Sequence, residues 1–226
     1  MNKYSRQQDL VDSKIFKTPI TVVGVGGIGS FTVLTLAKMG FKDITVFDPD
    51  TVEEYNLPNQ FYRSGDIGKH KVDALHILIR DFEGLLIKSR YTRIENSNYH
   101  VPLKRGIGNI RSVFISAVDS IETREVLFDM VEDVGVLYID GRMGQHQAEV
   151  YTINTAKPKE VKLYQKTLWS NDQVEPLKCT EKAIIYNVVF IASVICNQIK
   201  LALEGKIYSP QIRADLENFN IVKKGV

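Results

Sequence analysis

Short apolar runs alternate with longer stretches of helical periodicity along the first two thirds of the chain. Residues 20–23 form a β-branched run, and glycines separate them from an apolar-periodic stretch that begins at Ile28 and stops at Gly40. The alternation continues and predicts strands at 43–47, 85–93, 113–117 and 136–139 and helices at 71–80 and 121–131. Strands that alternate with helices indicate βαβ units. The pattern therefore predicts a Rossmann-like α/β fold, with a mainly parallel sheet flanked by helices.

The pattern changes after Gly141. Residues 148–154 and 159–167 are predicted to form two antiparallel strands, and 182–203 a long helix. Residues 168–180 carry little apolar periodicity and are interpreted as an exposed crossover loop. No stretch has the composition of a linker. We therefore predict an antiparallel extension in the C-terminal third and one domain over residues 1–226.

Composition narrows the class of protein. The 226 residues are 44% hydrophobic and 25% charged, which is ordinary for a soluble globular protein. A formal charge of +2 favours neither nucleic acid nor a membrane surface as a partner. The N-terminal ten residues are polar and lack the apolar core of a signal peptide. The apolar stretch 184–203 is interrupted by polar residues, which favours a buried helix over a membrane span.

The two cysteines, Cys179 and Cys196, exclude a disulfide framework, and no CxxC spacing occurs. The usual four-cysteine zinc site is therefore also excluded, and we predict no zinc. Few cysteines fit a reducing compartment, so we expect a cytoplasmic protein.

A glycine-rich motif follows the first predicted strand and opens the first helix. Gly24, Gly26, Gly27 and Gly29 permit a tight turn that brings backbone N–H groups close to a phosphate. Asp48 ends the second strand 19 residues after Gly29, where a carboxylate can bind ribose hydroxyls. These features indicate a nucleotide site without identifying the nucleotide. Taken alone, they favour an NAD-dependent oxidoreductase.

The segment that begins at Asp48 changes this interpretation. Asp48–Gln60 contains Asp-x-Asp-x-Val followed by Asn-Leu-Pro-Asn-Gln, and resembles the ThiF/MoeB/HesA family, the bacterial relatives of ubiquitin-activating enzymes. Tyr4–Gln7, Asp66–Val72 and Ala117–Ser120, with Arg124 downstream, resemble three further motifs of that family in the same order. Four motifs in order are specific, although each one alone is weak.

The resemblance implies an ATP-dependent adenylyltransferase that uses Mg²⁺, works as a homodimer, and converts a carboxylate to an acyl-adenylate with release of pyrophosphate. The implied acceptor is the C-terminus of a small ubiquitin-fold carrier protein. The alternatives are an enzyme of the same fold that adenylates a small ribosomal peptide or a modified tRNA base, an NAD-dependent Rossmann oxidoreductase, and a non-catalytic subunit that has kept the fold. The tRNA alternative is disfavoured because backbone binding needs clustered Lys and Arg.

The resemblance also implies roles for individual residues. Lys71 neutralises the phosphates, Asp119 holds Mg²⁺ between them, and Arg6 contacts them across the dimer interface. The remaining nucleotide-binding positions are Asp50, Asn56 and Ser120. The structural alternatives are a surface lysine for Lys71, a helix N-cap for Asp119 and a disordered terminus for Arg6.

Cys179 resembles the Cys of a Cys-Thr pair that carries the nucleophile in many members of the family. Lys178, Lys182 and the start of the following helix would lower the pKa of its thiol. The alternative is that Cys179 only packs the helix start. Cys196 lies within an apolar helix and is expected in the core.

The sequence departs from the family pattern at several positions. Asn59 stands where the family has an arginine, so one phosphate-binding cation is missing. Arg63 is the first candidate to replace it, and Lys69 and an unpaired Arg124 are weaker ones. Ser120 stands where the family often has Asn.

Overall fold

The computed structural model describes residues 3–7, 9–94, 110–168 and 184–225. Its helices and strands follow in the order β1 (Ile20–Val23), α1 (Gly27–Met39), β2 (Ile44–Phe47), α2 (Lys71–Glu83), β3 (Lys88–Arg90), β4 (Val113–Ser116), α3 (Ile121–Asp129), β5 (Leu137–Gly144), β6 (Gln147–Asn154), α4 (Pro158–Gln165), α5 (Ile185–Leu203), β7 (Gln211–Asp215) and β8 (Asn220–Lys224). Short 3₁₀ helices lie at Ser5–Gln7, Ser13–Lys17, Glu54–Asn56 and Ser64–Asp66.

The strands form one eight-stranded sheet in the order β3-β2-β1-β4-β5-β6-β7-β8. The first five strands in this order are parallel, and β6, β7 and β8 continue the sheet antiparallel. The predicted fold class is therefore confirmed, including the antiparallel extension.

Helices cover both faces of the sheet. One core contains Leu36 of α1, Leu75 of α2 and Ile195 of α5, packed against one set of alternate strand residues. A second core contains Phe128 of α3 and Tyr164 of α4, packed against the other set. Side chains alternate between the faces of a strand, so the buried parallel strands supply both cores.

Gly40 ends α1 as its position predicts. Its φ of 115° lies in the left-handed region that glycine adopts without strain. Its N–H donates to the carbonyls of Leu36 and Ala37, at 3.1 Å each, and so satisfies the last turn.

The prediction of a strand at 159–167 is wrong, because this segment forms α4. Pro158 stands in the first turn, where its missing N–H costs no helical hydrogen bond. Glu160 and Tyr164, four residues apart, are both buried on one side of the helix. The spacing of Val161 and Leu163, two residues apart, is that of a strand, but both residues lie in the helix α4.

Two strands were not predicted at all. β7 is short and polar at its ends, and every residue of β8 is exposed. β8 therefore lacks the apolar alternation that identifies a strand, and in β7 the alternation of Ile212 and Ala214 with polar residues spans only five residues. β3 is also shorter than the predicted 85–93.

α5 occupies most of the predicted helix 182–203, and most of the predicted crossover loop at 168–180 lies outside the described residues. By length and composition alone α5 could cross a membrane, and half of its apolar window is buried inside the structure.

The strand order reverses between β1 and β4, since the chain moves outward from β1 to β3 and then returns to the other side of β1. Ligands of open parallel sheets bind at such a reversal, at the carboxyl ends of the strands. β1 ends at the glycine motif and β4 ends before Asp119, so the fold places both there.

Candidate functional site

The glycine motif forms a tight turn from β1 into α1. Gly24 has a φ of 83°, and a Cβ added to it would lie 2.6 Å from the carbonyl oxygen of Ala117. A Cβ added to Gly29 would lie 1.9 Å from the carbonyl oxygen of Gly24. Both positions therefore exclude any side chain. Gly26 is the N-cap of α1 and makes no side-chain cap, which leaves first-turn N–H groups available to an anion.

Asp48 supports this turn from the end of β2. Its side chain accepts hydrogen bonds from the backbone N–H groups of Val25 and Asp50, at 2.8 Å each. Burial raises the pKa of Asp48, although Lys71 and the two hydrogen bonds oppose that shift. Each carboxylate oxygen keeps a lone pair that a ribose hydroxyl can use. Asp48, the predicted ribose ligand, is thus held in place by a backbone N–H of the glycine turn itself.

Lys71 is the first residue of α2, and its side chain is only 9% exposed. Its Nζ lies 2.9 Å from Oδ2 of Asp50, whose side chain is 62% exposed. The Lys71 charge also offsets part of the rise that burial causes in the pKa of the neighbouring Asp48. Lys71 is therefore not a solvated surface lysine, and the structure brings it together with Asp48, Asp50 and the glycine turn.

The segment Asn56–Gln60 lies over the glycine turn. Asn56 is buried, and its Oδ1 accepts the backbone N–H of Glu53 at 2.9 Å, which fixes the 3₁₀ turn. The carbonyl oxygen of Asn59 lies 3.2 Å from the position of a Cβ on Gly27. Asn59 thus reaches the site through its backbone.

Gln60 is a site residue that the sequence reasoning did not single out. Its Nε2 is the side-chain atom nearest to Gly26, 3.7 Å from the position of a Cβ there. Its Oε1 is buried and has no hydrogen-bond partner among the described residues. The amide donor therefore faces the turn and can bind a phosphate oxygen. Its position at the end of the Asn-Leu-Pro-Asn-Gln run was the available signal.

Arg63 and Lys69, two candidates for the missing cation, both bind Asp66. Arg63 Nε and Lys69 Nζ lie 3.0 and 2.9 Å from the two Asp66 oxygens, and Arg63 also approaches Asp81 at 3.8 Å. The side chain of Asp66 is 1% exposed. These ion pairs hold the turn before α2 together, and phosphate binding by Arg63 stays a prediction.

The expectation of an unpaired Arg124 is wrong. Arg124 is 1% exposed, and its Nε donates to Oδ1 of Asp140 at 2.8 Å. The sequence could not show this pair, because Arg124 lies on α3 and Asp140 on β5. Arg124 is therefore not a free cation for the phosphates.

Asp119 is exposed in the loop between β4 and α3. The N-cap of α3 is Ser120, whose Oγ accepts the N–H of Thr123 at 3.1 Å, so the alternative N-cap role for Asp119 is wrong. Among the described residues the Asp119 carboxylate has no partner, and no cluster of three metal-binding side chains occurs there. A common ligand set for Mg²⁺ is nevertheless one carboxylate together with phosphates and waters. The carboxylate of Asp119 fits the role of that single protein ligand.

Arg6 lies far from the other predicted residues of its own chain. It is exposed within Ser5–Gln7, between Lys3, which binds the Glu83 carbonyl at 3.1 Å, and Gln7, which binds the Met39 carbonyl at 2.6 Å. Met39 and Glu83 end the helices whose first turns build the site. A 13-residue helix is about 20 Å long at roughly 1.5 Å per residue. The structure therefore anchors Arg6 at the opposite end of these helices.

Cys179 lies outside the described residues, and its role stays a prediction. Cys196 is buried in α5 and free, and burial raises the pKa of its thiol. The expectation that Cys196 belongs to the core is confirmed.

A model of the ThiF family matches residues 4–225 of the chain. The chain is 32% identical over 127 residues to the NEDD8-activating enzyme E1 catalytic subunit of Caenorhabditis elegans, a match that covers 55% of this chain and 28% of that protein. It is 25% identical over 142 residues to the SAMP-activating enzyme E1 of Haloferax volcanii, which covers 62% of this chain and 51% of that protein. The chain thus spans between about a quarter and a half of the length of these curated relatives.

The fold is shared with solved structures. The crystal structure of E. coli MccB with AMPCPP and MccA superposes with a TM-score of 0.72 at 18% identity, over 99% of this chain and 71% of that chain. At this identity the similarity establishes the fold alone.

Proposed function

The chain belongs to the ThiF family, and we propose on this basis that it is an ATP-dependent adenylyltransferase that converts a carboxylate to an acyl-adenylate. The observation that carries the proposal is the buried ammonium of Lys71 beside Asp48 and the glycine turn. A buried cation next to a helix N-terminus favours the binding of an anion such as a polyphosphate. Asp48, the proposed ribose ligand, belongs to the same group of residues.

In the proposed reaction an acceptor carboxylate oxygen attacks the α-phosphorus of ATP. The bond from the α-phosphorus to the bridging oxygen breaks, and pyrophosphate leaves with the electron pair. Negative charge grows on the phosphoryl oxygens, so positioned cations and N–H donors lower the barrier. Lys71, the first turn of α1 and the Gln60 amide supply such groups. Mg²⁺ held by Asp119 would neutralise part of the phosphate charge.

We propose that the acceptor is the C-terminus of a ubiquitin-fold carrier. The relatives named above are activating enzymes for NEDD8 and for SAMP, which supports this class of acceptor. A flexible tail can reach an α-phosphate at the edge of the sheet without the folded part of the carrier entering the site. A small ribosomal peptide as acceptor is the alternative outcome of the test.

We also propose a homodimer in which Arg6 of one subunit completes the site of the other. The anchoring of Lys3 and Gln7 at the far ends of α1 and α2 supports this arrangement, because Arg6 cannot reach its own site from there. Transfer of the acyl group to Cys179 is proposed as the following step. The thiolate would attack the acyl carbonyl and displace AMP, forming a thioester.

The direct test is a pair of measurements. MgATP should raise the melting temperature of the purified protein and NADH should not, since the proposed site binds a triphosphate. ATP–pyrophosphate exchange should then appear when a carrier or peptide is added. Protection by NADH alone would favour the oxidoreductase alternative and overturn the proposal.

A further inference from the structure

Asp140 is the centre of a buried polar network beside the loop that carries Asp119. It is fully buried on β5, directly opposite Ser116 of β4. Its Oδ1 accepts from Arg124 Nε at 2.8 Å. Its Oδ2 accepts from Arg142 Nε at 2.6 Å and from the Tyr164 hydroxyl at 2.9 Å. One carboxylate thus receives three hydrogen bonds from three different elements of the fold.

The network depends on the charge of Asp140. Burial by itself would raise the pKa of Asp140, but Arg124 and Arg142 hold it below its usual value. The carboxylate is therefore ionised, and it pairs with the buried guanidinium of Arg124 and the partly buried guanidinium of Arg142. Removing one partner of a buried ion pair leaves an uncompensated charge, so the geometry of the remaining groups must change.

Arg124 connects this carboxylate to the loop. Its Nη2 donates to the carbonyl oxygen of Val118, and to that of Gly141 at 3.4 Å. On the other side of Asp119, the Ser120 hydroxyl caps α3. Asp119 therefore stands between two residues whose positions are fixed, one by Arg124 and one by the helix start.

Apart from Asp140, Arg142 contacts residues that Arg124 does not contact. Its Nη2 donates to Thr167 Oγ1 at 3.1 Å, and its guanidinium carbon lies 4.6 Å from the centre of the Tyr151 ring. Thr167 follows the end of α4 and Tyr151 lies on β6, and no contact of Arg142 with the Asp119 loop is found among the described residues. The two arginines thus share one carboxylate but hold different parts of the structure.

We propose that Asp140 is a positioning residue for Asp119, acting through Arg124 on the Val118 carbonyl. The inference rests on the proposed function, which assigns Asp119 to Mg²⁺. Reacting groups must be held within about 1 Å, since a misplacement of that size can cost on the order of 10²-fold in rate. Asp140 itself touches neither nucleotide nor acceptor in this scheme.

The test compares Asp140→Asn and Arg124→Lys with the matched control Arg142→Lys. A lysine at 124 keeps the charge but cannot bind Asp140 and the Val118 carbonyl together. Asp140→Asn and Arg124→Lys should lower kcat for ATP–pyrophosphate exchange by about 10- to 100-fold, with a higher Mg²⁺ requirement and little change in the KM for ATP. Arg142→Lys should stay within about threefold of the wild type, because Arg142 contacts no residue of the Asp119 loop among the described residues. A general loss of packing would instead lower the rate of both arginine variants alike.

Hydrogen exchange of the backbone gives a readout that needs no activity. The peptide that spans 117–123 should exchange faster in Arg124→Lys than in Arg142→Lys, because only the first variant releases the loop. If Asp140→Asn does not fold, this comparison still decides the proposal. The proposal would be overturned if the two arginine variants had equal ATP–pyrophosphate exchange kinetics and equal backbone hydrogen exchange. A wild type without any ATP–pyrophosphate exchange would instead refute the proposed function. The hydrogen-exchange data would still show whether the network fixes the loop.

Discussion

Nζ of Lys71 lies 2.9 Å from Oδ2 of Asp50, and the lysine is almost fully buried while the aspartate side chain is 62% exposed. The cation is thus built into the fold, and its counter-ion stands at the surface. In the proposed function, a triphosphate would replace the exposed Asp50 carboxylate as the partner of Lys71. Lys71 is therefore the first residue to substitute in a test of the proposed site.

Lys71→Ala should abolish ATP–pyrophosphate exchange, and so should Asp119→Ala. Loss of a group that stabilises transition-state charge costs roughly 10²–10³ in rate. Lys88→Ala is the control. Lys88 lies on β3, and its Nζ makes an ion pair with Asp43 at 2.6 Å that has no part in the proposed site. Normal exchange by Asp119→Ala would remove the proposed metal ligand.

Mixtures of Arg6→Ala and Lys71→Ala subunits should recover part of the activity that each variant lacks alone. A heterodimer of the two carries one site with both an intact Lys71 and an intact Arg6 from its partner. The measurement is exchange activity after the subunits have been allowed to mix. Without recovery, Arg6 does not act across the interface.

Gly24→Ala should destabilise the protein much more than Gly68→Ala. The two glycines have nearly the same φ, 83° and 82°, but a Cβ on Gly24 would meet the Ala117 carbonyl at 2.6 Å, whereas no atom lies within 4 Å of one on Gly68. The φ cost, of order 1 kcal/mol, is therefore common to both variants. Urea unfolding measures the difference, which reports the contact of the glycine turn with β4. Equal losses of stability would show that this contact is not tight in solution.

Asp66 should make stability depend on pH in acid. Burial opposes ionisation, but Arg63 and Lys69 lower the pKa of Asp66 to about 2, from a usual 3.8. A carboxyl whose pKa is lower in the folded state stabilises the protein above the unfolded value. This contribution is lost as the pH falls from about 4 through 2, the window between the unfolded and folded values. Asp66→Asn should be less stable at pH 7 and lose less stability across that window. Asp133→Asn, which changes an exposed carboxylate in the turn before β5, should keep the wild-type dependence.

Cys179→Ala should leave ATP–pyrophosphate exchange intact and block a thioester with the carrier, because adenylation needs no thiol. Alkylating reagents should modify Cys179 well before Cys196, whose thiol is buried with a raised pKa. If the alanine variant still completes transfer, Cys179 has no role as a nucleophile. The adenylate would then pass directly to another component.

The parallel half of the fold was predictable because its signals are local. β1, the glycine turn, α1 and the stop at Gly40 lie within 21 residues, and each has a residue type that its conformation requires. The prediction for 159–167 failed because Glu160, Val161, Lys162 and Leu163 alternate between charged and apolar residues. The hydrogen bonds that Tyr208 and Lys157 donate to the buried Glu160 are absent from that pattern. The bond from Tyr208 is a tertiary contact, and a single segment cannot show it.

The same limit applies to the candidate site. Asp48, Lys71 and the glycines follow from motifs in which spacing along the chain determines position. Arg124 and Asp140 are 16 residues apart on different elements, and nothing in the spacing pairs them.

β8 borders the sheet beyond β7, and all five of its residues are exposed. An exposed edge strand can recruit a strand from another molecule, and lysines on the edge discourage such pairing. Lys223 and Lys224 occupy the end of β8 that pairs with Ile212 and Gln211. A chain from which β8 had been removed would present the largely buried β7 as its new border, including Ile212 and Ala214. β8 thus covers the apolar residues of β7 and gives this border of the sheet two lysines that oppose edge-to-edge pairing.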